Sequence, residues 1–189
     1  MSGTRQKRLP RRITAQSLEA AALAYLQRFS TSAANLRSVL MRRVLRAAQA
    51  HGDDPADGAA LIDALIARYI RAGLLNDTEY AAARTATLHR RGASTRGIRM
   101  RLAAKGVDSD DIDLALQSLA EETPDTDLQG AFNYARRRRL GPWRTANREA
   151  NRDRDVAALG RQGYGYETAR RVVDAENIAT LESEIDAEG

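Results

Sequence analysis

The sequence predicts an all-α protein, built as three tandem three-helix repeats that form a curved, elongated array. Three observations predict it. Apolar residues fill 43% of the 189 positions but aromatics only 5%, so Ala and Leu, which lose little freedom in a helix, must supply the core. Every periodic apolar segment fits a 3.6-residue period, and none alternates apolar with polar over five or more positions. The apolar pattern also restarts twice, at intervals of roughly sixty residues.

The first round begins with Leu18, Ala21, Ala22, Tyr25, Leu26 and Phe29 on one helical face, with Ser17 as the expected N-cap. A second helix starts after Ser32, carries Leu36, Val39, Leu40 and Val44, and runs to Gly52. The stretch from Gly52 to Gly58, with Asp53, Asp54 and Pro55, reads as a loop. A third helix bears Ile62, Leu65, Ile66, Tyr69 and Ile70 and stops at Gly73.

The second round opens with Asn76 and Glu79 at capping-box spacing ahead of Tyr80, Ala83 and Leu88. Ser94 caps a short helix with Ile98 and Leu102 that Gly106 ends. Asp108 opens the next, with Ile112, Ala115, Leu116 and Leu119 inward, and Pro124 closes the round. The third begins at Thr126, with Gln129 three residues on, and carries Leu128, Ala131, Phe132 and Ala135 until Leu140-Gly141-Pro142. Val156 and Leu159 then mark a helix up to Gly163, and Ala169, Val172 and Val173 a last one.

The rounds are related by offset. Leu102 and Gly106 recur at Leu159 and Gly163, 57 positions later, and Ile112, Ala115 and Leu116 recur as Ala169, Val172 and Val173 at the same offset. In the first round Leu40 stands for Leu102 and Ile62 for Ile112. That spacing is 22 against 10, so the first repeat carries an insertion of 12, and Val44 stands where the others have glycine. Its middle helix should be the longest of the three. The expected organisation is a flexible basic arm over 1–16, repeats over 17–73 (insertion near 45–57), 74–124 and 125–177, and an acidic tail over 178–189. Units this small bury little apolar area alone and gain by stacking on neighbours.

Cysteine is absent, which excludes disulfides, thiolate metal sites and cysteine nucleophiles. The polar, basic start from Met1 to Arg12 reads as neither a secretory signal nor a membrane anchor, so a cytoplasmic address is expected. The net charge is +5, but it is blocked. Tyr80 to Val107 holds seven bases and no acid, and Asp108 to Asp127 holds eight acids and no base. A second basic block covers Arg136 to Arg154, and acids dominate from Asp174 to Glu188. Such blocks steer binding toward oppositely charged surfaces.

The junction of the first two rounds reads Ile62-x-x-Leu65-Ile66-x-x-Tyr69-x-x-x-Gly73-Leu74-Leu75-Asn76-Asp77-x-x-Tyr80-Ala81. Then comes Arg91-Gly92-x-Ser94-x-x-x-Ile98-Arg99-x-x-Leu102-x-x-Lys105-Gly106-Val107. Ala22-Leu23-x-Tyr25-Leu26, Ser30 and Leu36 to Leu40 precede these, and Leu159-x-x-x-Gly163-Tyr164 follows. In order and spacing, over about residues 17 to 175, this resembles the RecX family, the bacterial regulators of the RecA recombinase. The insertion after Leu40, Val44 in place of glycine and the acidic tail depart from the family pattern. The resemblance implies tandem three-helix repeats that lodge in the groove of the RecA–DNA filament and restrain its ATPase, strand-exchange and co-protease activities, without a catalytic site. RecA on DNA is the expected partner of a monomeric chain, with weak direct DNA binding besides, no membrane and no cofactor; the alternative is a helical protein that binds DNA directly and acts without RecA.

The candidate partner-binding residues are basic. Arg136-Arg137-Arg138-Arg139, near Trp143, form the sharpest local feature. Four consecutive arginines point nearly all round a helix, so one is expected to lean coreward and snorkel. Guanidinium groups form bidentate hydrogen bonds with phosphates or carboxylates, against which stands a plain solvated face with Trp143 packed under the next turn. Arg90, Arg91, Arg96, Arg99, Arg101 and Lys105 form the second cluster, and the arm adds Arg5, Lys7, Arg8, Arg11 and Arg12. The arginines of the second and third repeats are expected to share one concave face, with Asp108 to Asp113 elsewhere. His51 and His89 are too far apart for a metal site and read as surface residues. Asp53, Asp54 and Asp57 lack the EF-hand glycine and closing glutamate. The tyrosines read as core, except Tyr164 and Tyr166, which flank Gly165 and are candidates for exposure. No P-loop, Gly-x-Ser-x-Gly or triad is evident, so no enzyme activity is expected.

Overall fold

The computed structural model describes residues 9–187; the expectations for Arg5, Lys7, Arg8 and Glu188 concern positions outside them. Among the described residues every regular element is helical, and no strand occurs. The chain divides into two compact units, Met1–Asp77 and Thr78–Gly189.

The first unit packs α1 (Ala15–Leu26), α2 (Ala33–His51) and α3 (Pro55–Arg71) around Leu18, Leu36, Leu40, Ile62, Ile66 and Tyr69. Helix α1 starts earlier than the sequence suggests. Thr14 is its N-cap and accepts from Ser17 N, while Ser17 takes the third helical position and closes a capping box. Both residues are good cappers, so composition alone could not choose between them. The stretch read as a loop is also shorter. Asp54 caps α3 through Ala56 N at 2.8 Å and Pro55 fills the first turn, where its missing N–H costs nothing. Before α1, Ile13 packs against the core, so the described end of the arm lies on the unit.

Helix α2 has 19 residues against 9 and 10 for the middle helices of the later repeats. Glycines stop those two. Gly106 and Gly163 adopt φ of 70° and 96°, and the next N–H donates back to Leu102 O (3.2 Å) and Leu159 O (3.4 Å). Val44 resists the left-handed conformation, so α2 runs on to Gly52. There it meets α3 closely: a Cβ on Gly58 would lie inside van der Waals contact of both Val44 methyls. The stretch beyond Val44 is therefore an extended helical hairpin, packed on a valine–glycine contact.

The second unit holds two cores. Helices α4 (Asp77–Arg90), α5 (Thr95–Ala103) and α6 (Ser109–Glu122) enclose Ala81, Leu88, Ile98, Leu102 and Ile112. Helices α7 (Thr126–Arg138), α8 (Arg152–Arg161), α9 (Tyr166–Asp174) and α10 (Ile178–Ala187) enclose Leu128, Phe132, Leu159, Val172 and Leu181. Leu102 and Leu159 hold corresponding places on α5 and α8, both 0% exposed. The N-cap of α7 is Asp125, through Leu128 N at 3.2 Å, rather than Thr126, whose hydroxyl turns to Thr123 O.

The segment expected as an acidic tail is helix α10. Ile178, Leu181 and Ile185 form a helical stripe between the acids, Leu181 is 0% exposed, and Arg171 binds Glu184 at 2.6 Å. Three apolar residues spaced i, i+3, i+7 outweigh the acidity of the exposed side.

Candidate functional site

Repeats two and three meet at a seam built from main-chain and small polar contacts. Ser94 caps α5, accepting from Gly97 N at 2.9 Å while its hydroxyl donates to Gln162 O at 2.7 Å. Asp127 accepts from Thr95 N at 2.8 Å, and Asp77 repeats that device at the start of α2 through Ala33 N, also at 2.8 Å. His89, expected on the surface, is 5% exposed and donates from Nε2 to Thr126 O at 2.7 Å. A buried carbonyl needs a donor, and the imidazole supplies it. Gly92 presses on the Tyr134 backbone so closely that no Cβ fits. Buried contacts of this kind hold the arginines flanking the seam in fixed relative positions.

Arg96 and Arg101 of α5 line a cleft of about 390 Å3 with Met100 and with Arg161 of α8. All three arginines are exposed, and none pairs with a carboxylate among the described residues. Arg161, which stands outside both basic blocks, is not among the residues the sequence singles out; its place beside α5 is set by the packing of α8 and leaves no local signal. Beside the cleft Tyr164 is 5% exposed, contrary to expectation, whereas Tyr166 is exposed. Burial pushes the Tyr164 phenol well above its usual range, and the nearby Asp127 carboxylate adds to this, while Arg101 and Arg137 act the other way. Arg96, Arg101 and Arg161 thus line one cleft, and Arg101 and Arg137 both act on the neighbouring Tyr164 phenol.

The remaining basic residues differ in their surroundings. Arg136 to Arg139 are all exposed, so no head group is buried in the core. Instead the Arg136 guanidinium lies 5.6 Å from the Phe132 ring centre and that of Arg137 5.7 Å from the Tyr134 ring. Trp143 is partly buried in the core, its ring edge-on to Phe132 at 5.0 Å, so it anchors the Arg run rather than offering a stacking surface. Arg99 pairs with Asp113 at 2.5 Å, so Asp113 does not point elsewhere as expected. Arg90 and Arg91 are exposed at the end of α4, and Lys105 is exposed near the end of α5.

Three of the eight arginines in the second basic block are structural. Arg144 meets the 1%-exposed Asp155 through two hydrogen bonds of 2.7 and 2.6 Å. Burial alone would raise the Asp155 carboxyl, but Arg144 and the Gly141 N–H outweigh it and hold it below the usual carboxylate range. Arg148 donates to the carbonyls of Val173, in the last turn of α9, and of Ala175 and Glu176 just after it, a natural place for a cation at a helix C-terminus. Arg152 grips Asp174 at 2.6 Å. Among the described residues no group of three or more His, Asp or Glu is placed to hold a metal ion, and no helix is long and apolar enough to cross a membrane.

The family description "RecX, second three-helix domain" matches residues 76–116, which are α4, α5 and the first half of α6. The Regulatory protein RecX of Myxococcus xanthus is 39% identical over 168 residues, covering 88% of this chain and 89% of that protein. The Regulatory protein RecX of Agrobacterium fabrum is 31% identical over 163 residues, covering 83% of this chain and 84% of that protein. No solved structure matches the chain. With that identity spread over nearly the whole length of both proteins, the chain belongs to the RecX family of regulatory proteins.

Proposed function

We propose that this protein docks on the RecA filament assembled on DNA and restrains its ATPase, strand-exchange and co-protease activities by binding rather than by chemistry. What carries the reading, beyond family membership, is the division of labour among the arginines of the second unit. Arg99, Arg144, Arg152, Arg170 and Arg171 are engaged by carboxylates. Arg91, Arg96, Arg101 and Arg136 to Arg139 have no carboxylate partner among the described residues, and Arg96 and Arg101 line the cleft beside the buried Ser94–Gln162 contact. Unpaired guanidinium groups on a rigid frame suit phosphates and acidic surfaces, both of which a nucleoprotein filament offers.

The test is RecA ATPase on single-stranded DNA with increasing amounts of this protein. An exposed arginine contributes about 0.2–1 kcal/mol, so single substitutions should be mild. Replacing Arg136 to Arg139 together by glutamate should abolish inhibition with little change in melting temperature. Full inhibition by the folded quadruple variant would reduce the run to a solvated face. Direct action on DNA is the rival reading, favoured by the same unpaired arginines. It requires tight, steeply salt-dependent DNA binding without RecA at the concentrations that inhibit the ATPase.

A further inference from the structure

We infer that the first unit carries a second polyanion site, a basic groove completed by the inserted hairpin, which takes the phosphodiester backbone of duplex nucleic acid. A cleft of about 820 Å3 runs along the small-residue face of α1, over Ala20 and Ala24. Arg11 and Arg12 of the chain before α1 form one wall, and Arg43 and Arg46 of α2 form the other. All four arginines are exposed. Among the described residues Arg11, Arg43 and Arg46 meet no carboxylate, and only Arg12 is paired, with Asp53 at 3.1 Å. The floor is shallow because alanine ends at Cβ, so a thick charged rod can settle between the walls.

The insertion makes this groove. His51 donates from Nε2 to the Pro10 carbonyl at 2.6 Å, and Asp53 holds Arg12, so the hairpin pins the preceding segment in place as a wall. Arg46 also lies in the inserted stretch, one turn beyond Arg42, whose carbonyl accepts from its Nε at 3.1 Å. Had a glycine stopped α2 at Val44, the wall would lose Arg46, and His51 and Asp53 would not be there to pin Pro10 and Arg12. A structural purpose for the extra residues is already visible in the Val44–Gly58 contact, but that contact does not require arginines.

Duplex backbone is the occupant the lining favours. It presents about one fixed negative charge per 1.7 Å of axis, without the ordering cost of a flexible chain. Single strands are held largely by aromatic stacking, and no aromatic residue among those described lines this groove. An acidic peptide would want sockets for its side chains, which an alanine floor does not provide.

The test is fluorescence anisotropy of a labelled mixed-sequence 20-base-pair duplex with the full chain, titrated from low to moderate salt. Each phosphate contact contributes about 0.9 to the slope of log K against log salt, so R43A/R46A should lower the slope by about 1.8 and weaken low-salt binding roughly tenfold or more. R43K/R46K, which keeps both charges, should retain the wild-type slope. The Arg136 to Arg139 quadruple glutamate variant serves as background, so that the seam does not supply the difference. An unchanged slope in R43A/R46A would overturn the inference, as would a lysine pair that behaves like the alanine pair. Tighter binding of poly-glutamate than of duplex at equal charge would assign the groove to an acidic protein and overturn it equally.

Discussion

Helices α4 and α7 open repeats two and three and end by the same turn with unlike residues. In α4 the left-handed residue is Gly92 at φ 73°, after which Ala93 N donates to Leu88 O at 3.0 Å. In α7 it is Arg139 at φ 55°, after which Leu140 N donates to Ala135 O at 2.9 Å. The stop is a property of the fold, and the residue that executes it depends on what lies outside. Gly92 is buried against Tyr134, with no room for a side chain. Arg139 is exposed, and the turn after it is braced from behind by Asp155, which accepts from Gly141 N at 2.9 Å and from Arg144. Packing dictates glycine at one stop; at the other, an external brace tolerates a residue that local conformation disfavours.

The largest effect is expected at Gly92. A Cβ there would sit 2.5 Å from Tyr134 N, and the neighbour is backbone, which cannot swing aside. Left-handed strain and overpacking together should make Gly92→Ala cost about 2–5 kcal/mol in urea unfolding. A cost below about 1 kcal/mol would mean that the seam is not packed as described.

Next comes the brace at α7. Asp155→Asn leaves the half-buried Arg144 without its charge partner and should cost about 2–4 kcal/mol near neutral pH, somewhat below the range for a fully buried pair. The folded Asp155 carboxyl is depressed, so its stabilisation is present above the unfolded pKa of about 3.9 and is lost as pH falls through the folded value. The gap between wild type and Asp155→Asn should therefore close below about pH 4. Trp143 is the single tryptophan and lies in the same core, so its fluorescence reports the transition. A gap independent of pH would assign the effect to shape rather than charge.

The contrast between α2 and its shorter counterparts can be sharpened by a double-mutant cycle. Gly58→Ala should destabilise through the clash with Val44, offset in part by about 1 kcal/mol of helix propensity. Val44→Ala removes the obstacle at its own cost. The double variant should be more stable than the sum of the two by about 1–2 kcal/mol. Strict additivity would show that the hairpin is held by other contacts.

How much of this was legible follows from the range of each interaction. Stops and starts are local, so Ser32, Ser94, Asp108, Gly52 and Gly106 could be read directly, and Val44 in place of a glycine foretold the long α2. Where two cappers stood close together, as with Thr14 and Ser17 or Asp125 and Thr126, the sequence offered no way to rank them. Helix α10 was hidden because its acids dominate composition while its three apolar positions carry the packing. The charge blocks were plain, but their use was not. Arg99 finds Asp113, Arg144 finds Asp155 and Arg152 finds Asp174 across intervening turns and helices. Separating structural from available arginines needs the third dimension, and so did the burial of His89, whose partner Thr126 O lies 37 residues away.

The smallest expected effect has the opposite sign. Arg139 holds a left-handed conformation that favours glycine by about 1 kcal/mol, and its exposed side chain meets no carboxylate among the described residues. Arg139→Gly should therefore stabilise the protein by about 0.5–1 kcal/mol in urea unfolding, after allowance for glycine's greater freedom in the unfolded chain. Residues kept in disfavoured conformations concentrate at working sites, where the side chain matters more than the strain. The variant should then inhibit RecA somewhat less while unfolding at higher urea. Glycine that leaves stability and inhibition unchanged would show that the α7 stop is indifferent to its residue. Lower stability would show that Arg139 is held by contacts which offset the backbone cost.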